Sequence, residues 1–228
     1  MKLSFNIDYR TNWGESVYIT GNIPELGDGD FSKALKLELD GVESWSTVIE
    51  ADDKTPDFEY SYIVKHENGY VKQEWGTPHK FLRARTAKTY EIFDRWQDTP
   101  LDKPYYSSAF IDCILNRPDR DKPLAPKSGC VNIRVSAPMV RPDEVVAICG
   151  DNEALGDWDP SKAVVMNDAN YPEWRVNLEL KALQIPFSYK FLILKRGSLD
   201  LVAWEGGYNR YFDLIPTQKS AVMVVAGM

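Results

Sequence analysis

The sequence predicts an all-β protein: two tandem immunoglobulin-like antiparallel β-sandwiches. Three observations carry this reading. The chain repeats itself once, at an offset of 129 residues (Gly21 to Gly150, Leu26 to Leu155, Trp45 to Trp174). Each copy is a series of short runs rich in β-branched and aromatic residues, separated by turn signals. No long amphipathic helical pattern interrupts either series.

The repeat is clearest in one turn, written "LGDGDFSKA" from Leu26 and "LGDWDPSKA" from Leu155. At the same spacing Phe58 maps to Phe187, Tyr60 to Tyr189 and Trp75 to Trp204. The period far exceeds the 20–50 residues of a solenoid repeat, so it marks a duplicated domain. In copy one the expected strands are "KLSFNID", "SVYIT", "LKLEL", "WSTVIE", "FEYSYIVK", "YVKQEW" and "TYEIF". In copy two they are "VNIRV", "EVVAIC", "AVVM", "WRVNLEL", "FSYKFLIL", "LVAW" and "AVMVV". Seven or so strands per hundred residues suit a sandwich. "DTPLDKPYY" and "NRPDRDKPLAPKSG" are rich in proline and charge and read as the join. The expected division is therefore 1–98, a linker 99–127, and 128–228.

The chain of 228 residues carries a net charge of −7 spread along its length. Such a surface repels phosphate backbones and anionic lipid, so nucleic acid and membrane are not expected partners. The N-terminus "MKLSFNIDYRTNW" alternates apolar and polar residues and lacks the apolar stretch of a signal peptide. The three cysteines (Cys113, Cys130, Cys149) read as reduced thiols of a cytoplasmic protein. The two histidines, His66 and His79, are not spaced as metal ligands; no metal, cofactor or catalytic residue is expected.

Function is sought in the aromatics. Seven tryptophans are many for this length. Trp45 and Trp174 begin regular strands, where a sandwich core wants a ring. Trp158 is different, because it sits in the polar turn "GDWDP". Trp204 is followed by the polar, glycine-rich "EGGYNR". An exposed aromatic on a loop marks a contact. Flat rings with Lys190, Glu205 and Asn209 nearby suit a sugar, whose C–H face stacks and whose hydroxyl edges hydrogen-bond. Stacked nucleic acid bases would need a positive groove, which this acidic chain lacks.

At these residues the pattern "G…LGDWDPSKA…YPEW…FSYKF…VAWEGGYNR" resembles the starch-binding domain, carbohydrate-binding module family 20. The resemblance implies an eight-stranded sandwich with two α-glucan sites. In the first, Trp158 and Trp204 would clamp adjacent glucose units, with Lys190, Glu205 and Asn209 in polar contact. The second would use Tyr171 and Trp174, although Pro142 stands where a further aromatic is expected. Copy one departs at the first site: Gly29, Ser61, Gly76 and Lys80 replace the tryptophan, lysine, glutamate and asparagine, leaving Trp75. It keeps Trp13 and Trp45 as candidates for the second. Tandem modules of this kind, with "EWG" at Glu74–Gly76 and "SAF" at Ser108–Phe110, resemble the N-terminal region of the family 77 4-α-glucanotransferases. That implies α-glucan or malto-oligosaccharide as ligand and a covalently linked catalytic barrel as partner. The chain ends at "VVAGM" without such a barrel, as a fragment of that protein would.

Two other readings stand beside it. The chain could itself hydrolyse glycosides with a pair of carboxylates, but a small sandwich offers no deep cleft. It could be a regulatory or scaffolding pair of sandwiches that binds protein, since fold does not fix function.

Overall fold

The computed structural model describes residues 1–75, 78–84, 86–97, 121–216 and 220–227. Cys113, Gly76, Ser108–Phe110 and most of the expected linker lie outside these residues. Among the described residues the regular structure is strand, joined by five short 3-10 turns. Two compact units are present. Unit 1 comprises Met1–Pro100, Ala125–Ser128 and Lys219–Val225; unit 2 comprises Leu101–Leu124, Gly129–Gln218 and Ala226–Met228.

Unit 1 begins with β1 (Lys2–Asp8), whose alternation buries Leu3, Phe5 and Ile7. β1 pairs antiparallel with β5 (Ser44–Glu50), which in turn pairs with β4 (Glu38–Asp40). On its other side β1 runs parallel to β9 (Thr89–Arg95). The second sheet has β2 (Glu15–Gly21) at its centre, between β3 (Leu35–Lys36) and β6 (Phe58–His66). β7 (Val71–Gln73) and β8 (His79–Phe81) both pair with β6. Val17, Ile19, Tyr60 and Tyr62 meet Leu3, Phe5, Tyr90 and Ile92 in the core.

Unit 2 repeats the plan. β10 (Cys130–Ser136) pairs with β14 (Glu173–Glu179), and β14 with β13 (Asn167–Asn170). The facing sheet runs β12 (Val164–Val165), β11 (Glu144–Gly150), β15 (Phe187–Lys195), β16 (Leu201–Trp204), with β17 (Arg210–Phe212) also on β15. The last strand, β18 (Ser220–Gly227), runs parallel to β9 and is grouped with unit 1 from Lys219 to Val225.

The all-β reading holds, with two differences in detail. The sheets are not purely antiparallel, because β9 lies parallel to both β1 and β18. Strands so far apart in sequence need no hairpin to join them, so nothing forces them to run antiparallel. Three short strands, β8, β13 and β17, were not expected from the sequence. Each has three or four residues with polar members, too few for a period to show.

Candidate functional site in unit 2

The site grows from the duplicated turn. In both copies a glycine is required where the turn leaves its strand. A Cβ on Gly150 would stand 2.4 Å from the Ser188 carbonyl oxygen, and one on Gly21 would stand 2.8 Å from that of Glu59. The chain then passes through three left-handed residues: Gly27, Asp28 and Gly29 (φ 82°, 53°, 78°) in copy one, Gly156, Asp157 and Trp158 (φ 85°, 49°, 62°) in copy two. The same hydrogen bond closes each turn, from the Gly29 N–H to the Gly21 carbonyl at 2.7 Å and from the Trp158 N–H to the Gly150 carbonyl at 2.8 Å. Asp30 and Asp159 then cap the following 3-10 turns by accepting from the serine two residues on. Those serine bonds, backed by a nearby lysine, hold both carboxyls below the usual carboxylate range.

On this common scaffold only copy two carries a ring at the third left-handed position; the ring of copy one, Phe31, comes two residues later. A left-handed backbone disfavours any residue with a Cβ by about 1–2 kcal/mol. Such strain persists where the surroundings impose it, and it concentrates at functional sites. The half-exposed Trp158 ring meets Trp204, at the end of β16, with centroids 6.2 Å apart and planes tilted by 52°.

The loop after Trp204 is pinned from beneath. Lys190 donates to the Gly207 carbonyl at 2.7 Å and to that of Glu205 at 3.3 Å. The Glu205 carboxylate takes the Phe191 N–H at 2.9 Å and a two-pronged grip from Arg210 (Nε to Oε1 3.0 Å, Nη2 to Oε2 2.8 Å). The Arg210 guanidinium lies 5.0 Å from the Phe191 ring centre. The Arg210 Nε also lies 3.1 Å from Oε2 but has only one proton to share, so three N–H donors fill three of the roughly four acceptor positions of the carboxylate. Glu205 thus braces the loop, with an acceptor position remaining on its carboxylate. Asn209 stands exposed on the same loop. Arg210 was missed in the sequence; the signal was an acid and a base five apart across "EGGYNR".

The residues expected at second sites divide by burial. Trp45, Trp174 and Tyr171 are core side chains rather than exposed platforms. Trp45 donates its indole N–H to the Tyr9 carbonyl at 3.0 Å, Trp174 donates to that of Ala137, and the Tyr171 hydroxyl donates to that of Pro138. An open cleft of about 500 Å³ lies beside Trp45, lined also by Ser16, Lys36, Leu37, Glu38 and Leu39. Trp13, in the turn between β1 and β2, is 98% exposed.

Trp75 requires a correction. The constant offset holds through β6 and β15, then slips by two residues. Gln73 pairs with Ile63 as Trp204 pairs with Leu192, and His79 pairs with Tyr60 as Arg210 pairs with Tyr189. The hairpin before β16 is longer than its counterpart and ends in a bulge. Gln73, not Trp75, thus occupies the register of Trp204, and Glu74, not Gly76, that of Glu205. The hydrogen bonds agree: Glu74 accepts from the Tyr62 N–H at 2.6 Å, as Glu205 does from that of Phe191.

In unit 1 the place of Arg210 is taken by His79, buried between Glu74 (3.0 Å) and Asp94 (3.4 Å). Tyr60 and Tyr62 both donate to Asp94, at 2.7 and 2.9 Å. Burial opposes charge on His79, but the two carboxylates outweigh it and push its pKa up to about 10. Copy one keeps the buried support of the loop but has glycine and glutamine at the positions of Trp158 and Trp204; its exposed ring, Trp75, lies two residues beyond Gln73.

A family described as "Starch binding domain" matches residues 1–92 and again 130–224. The 4-alpha-glucanotransferase DPE2 of Oryza sativa subsp. japonica is 28% identical over 229 residues, covering 93% of this chain and 24% of that protein. An alpha-amylase of Streptomyces violaceus is 38% identical over 73 residues, or 32% of this chain and 13% of that enzyme. Among solved structures, the family 20 carbohydrate-binding module of a Pseudomonas saccharophila maltotetraose-forming amylase aligns with 43% of this chain and 99% of its own, at 24% identity and a TM-score of 0.36. The chain spans about a quarter of the length of the rice relative (24%) and less of the amylase. Among the described residues no helix is long and apolar enough to cross a membrane, and no group of acidic, histidine or cysteine side chains could hold a metal ion.

Proposed function

The chain belongs to the starch-binding domain family, and from that premise we propose that it binds α-1,4-glucan without catalysis, chiefly through the Trp158–Trp204 pair. One observation carries the site assignment: two half-exposed rings, tilted to each other, project from a turn and a loop that are both tied down by hydrogen bonds. A tilted pair presents two faces to a chain that curves, as an α-1,4-glucan does. Each face covers the apolar side of one glucose unit. The third donor of Lys190 and the amide of Asn209 are left for hydroxyls.

Titration calorimetry with β-cyclodextrin tests this. Trp158→Ala and Trp204→Ala should each lose about 1–3 kcal/mol of binding, the scale of stacking on an aromatic platform. A wild-type chain that takes up no heat with the ligand and stays in solution beside insoluble starch would overturn the reading. The exposed Trp13, with the cleft beside Trp45, is the corresponding candidate in unit 1.

The division 1–98, 99–127 and 128–228 is part of the same proposal, as is the role in a larger protein. Likeness to the rice 4-alpha-glucanotransferase along 93% of this chain supports a linked glucanotransferase domain as covalent partner. A buried Cys149 that forms no disulfide suits a cytoplasmic setting.

A further inference from the structure

We propose that Tyr208 is a third glucan-stacking ring, extending the Trp158–Trp204 pair toward longer oligosaccharides. This rests on the preceding assignment of that pair to α-glucan.

Tyr208 is 98% exposed, although it sits in a loop held by hydrogen bonds on both sides. Behind it Lys190 holds the carbonyls of Glu205 and Gly207. Ahead of it Arg210 grips the Glu205 carboxylate with two nitrogens. The loop therefore forms a short closed bracket, and the ring is its projecting tip. Gly206 and Gly207 come immediately before it. A Cβ on either would meet nothing within 4 Å, so the approach along the backbone from Trp204 toward Tyr208 is open. A freely rotating tyrosine on a loose loop would lose much entropy on stacking; a ring at the tip of a fastened loop loses less.

Fastening a loop this firmly does nothing to bury the ring it carries. Tyrosine brings a large flat face at low conformational cost together with a hydroxyl that can bond a sugar edge. Copy one offers a comparison. Between Glu74 and His79 it reads "WGTP", with threonine in the tyrosine's place. That copy also has no ring at the positions of Trp158 and Trp204, although it exposes Trp75 in the same loop.

The test is calorimetry on the full chain with maltotriose and maltoheptaose, comparing wild type with Tyr208→Ala, Tyr208→Phe and Trp158→Ala. Tyr208→Ala should weaken maltoheptaose about three- to tenfold, the scale of one aromatic contact. It should leave maltotriose within about twofold, and Tyr208→Phe should retain most of the maltoheptaose affinity. An unchanged maltoheptaose affinity in Tyr208→Ala overturns the proposal. So does an equal loss on both sugars, which would make the ring part of the clamp itself. If Trp158→Ala weakens both sugars while Tyr208→Ala leaves the maltoheptaose affinity unchanged, the glucan assignment survives and this extension alone fails. If wild type binds neither sugar, the glucan assignment itself falls.

Discussion

Trp158 holds its ring on a backbone that suits glycine better. Copy one shows the alternative in place, since Gly29 makes the same closing hydrogen bond. Trp158→Gly should therefore abolish most glucan binding and yet melt within about 3 °C of wild type, because relief of strain offsets the lost ring contact and the added chain freedom. A large drop in melting temperature would show that the ring also supports the fold. Glu205 should behave in the opposite way. Glu205→Ala leaves the Phe191 N–H and the Arg210 guanidinium without their partner. Denaturant unfolding should then show a loss of about 1–3 kcal/mol, along with weakened binding from a loosened loop.

At the scale of strands, register decides which residues correspond. Trp75 lies two places beyond the position of Trp204, so Trp75→Ala should leave cyclodextrin affinity unchanged. A ring placed at the true positions should do more. Gly29→Trp with Gln73→Trp would add a second pair on a turn where a Cβ at residue 29 meets nothing within 4 Å. Calorimetry would then report two cyclodextrins per chain rather than one. The strands themselves were legible because alternation, as in Leu3, Phe5 and Ile7, is written directly in the sequence. The ring pair was legible because polar turns seldom carry tryptophan. The slip of register was not, because a bulge in a hairpin leaves no periodic trace and a chance Trp75 stood at the unslipped spacing. The core places of Trp45 and Trp174 were legible because each begins a regular strand, and their burial agrees.

Across the whole molecule, charge and binding are separate matters. Stacking and hydroxyl contacts are not charge pairs, so affinity should change less than about twofold between low and moderate salt; a steep salt dependence would indicate a charged ligand. Stability, by contrast, should follow pH. His79 has its pKa raised from 6.5 to about 10 in the folded chain. Its stabilising contribution is complete below pH 6.5, where folded and unfolded forms both hold the proton. It declines above that value and is lost as pH passes about 10. Thermal melts from pH 6 to 10.5 should show this fall in wild type and not in His79→Gln, which should already be less stable at pH 6. The duplicated turn has a consequence of another kind. Glycine and tryptophan both close it by the same bond, and glycine fits its left-handed backbone more easily, so the fold by itself never calls for the ring. The side chain at that one position is therefore a record of use: among sequences with this turn, a ring persists only while something is regularly held against it, and drift toward glycine marks a copy that has been relieved of binding.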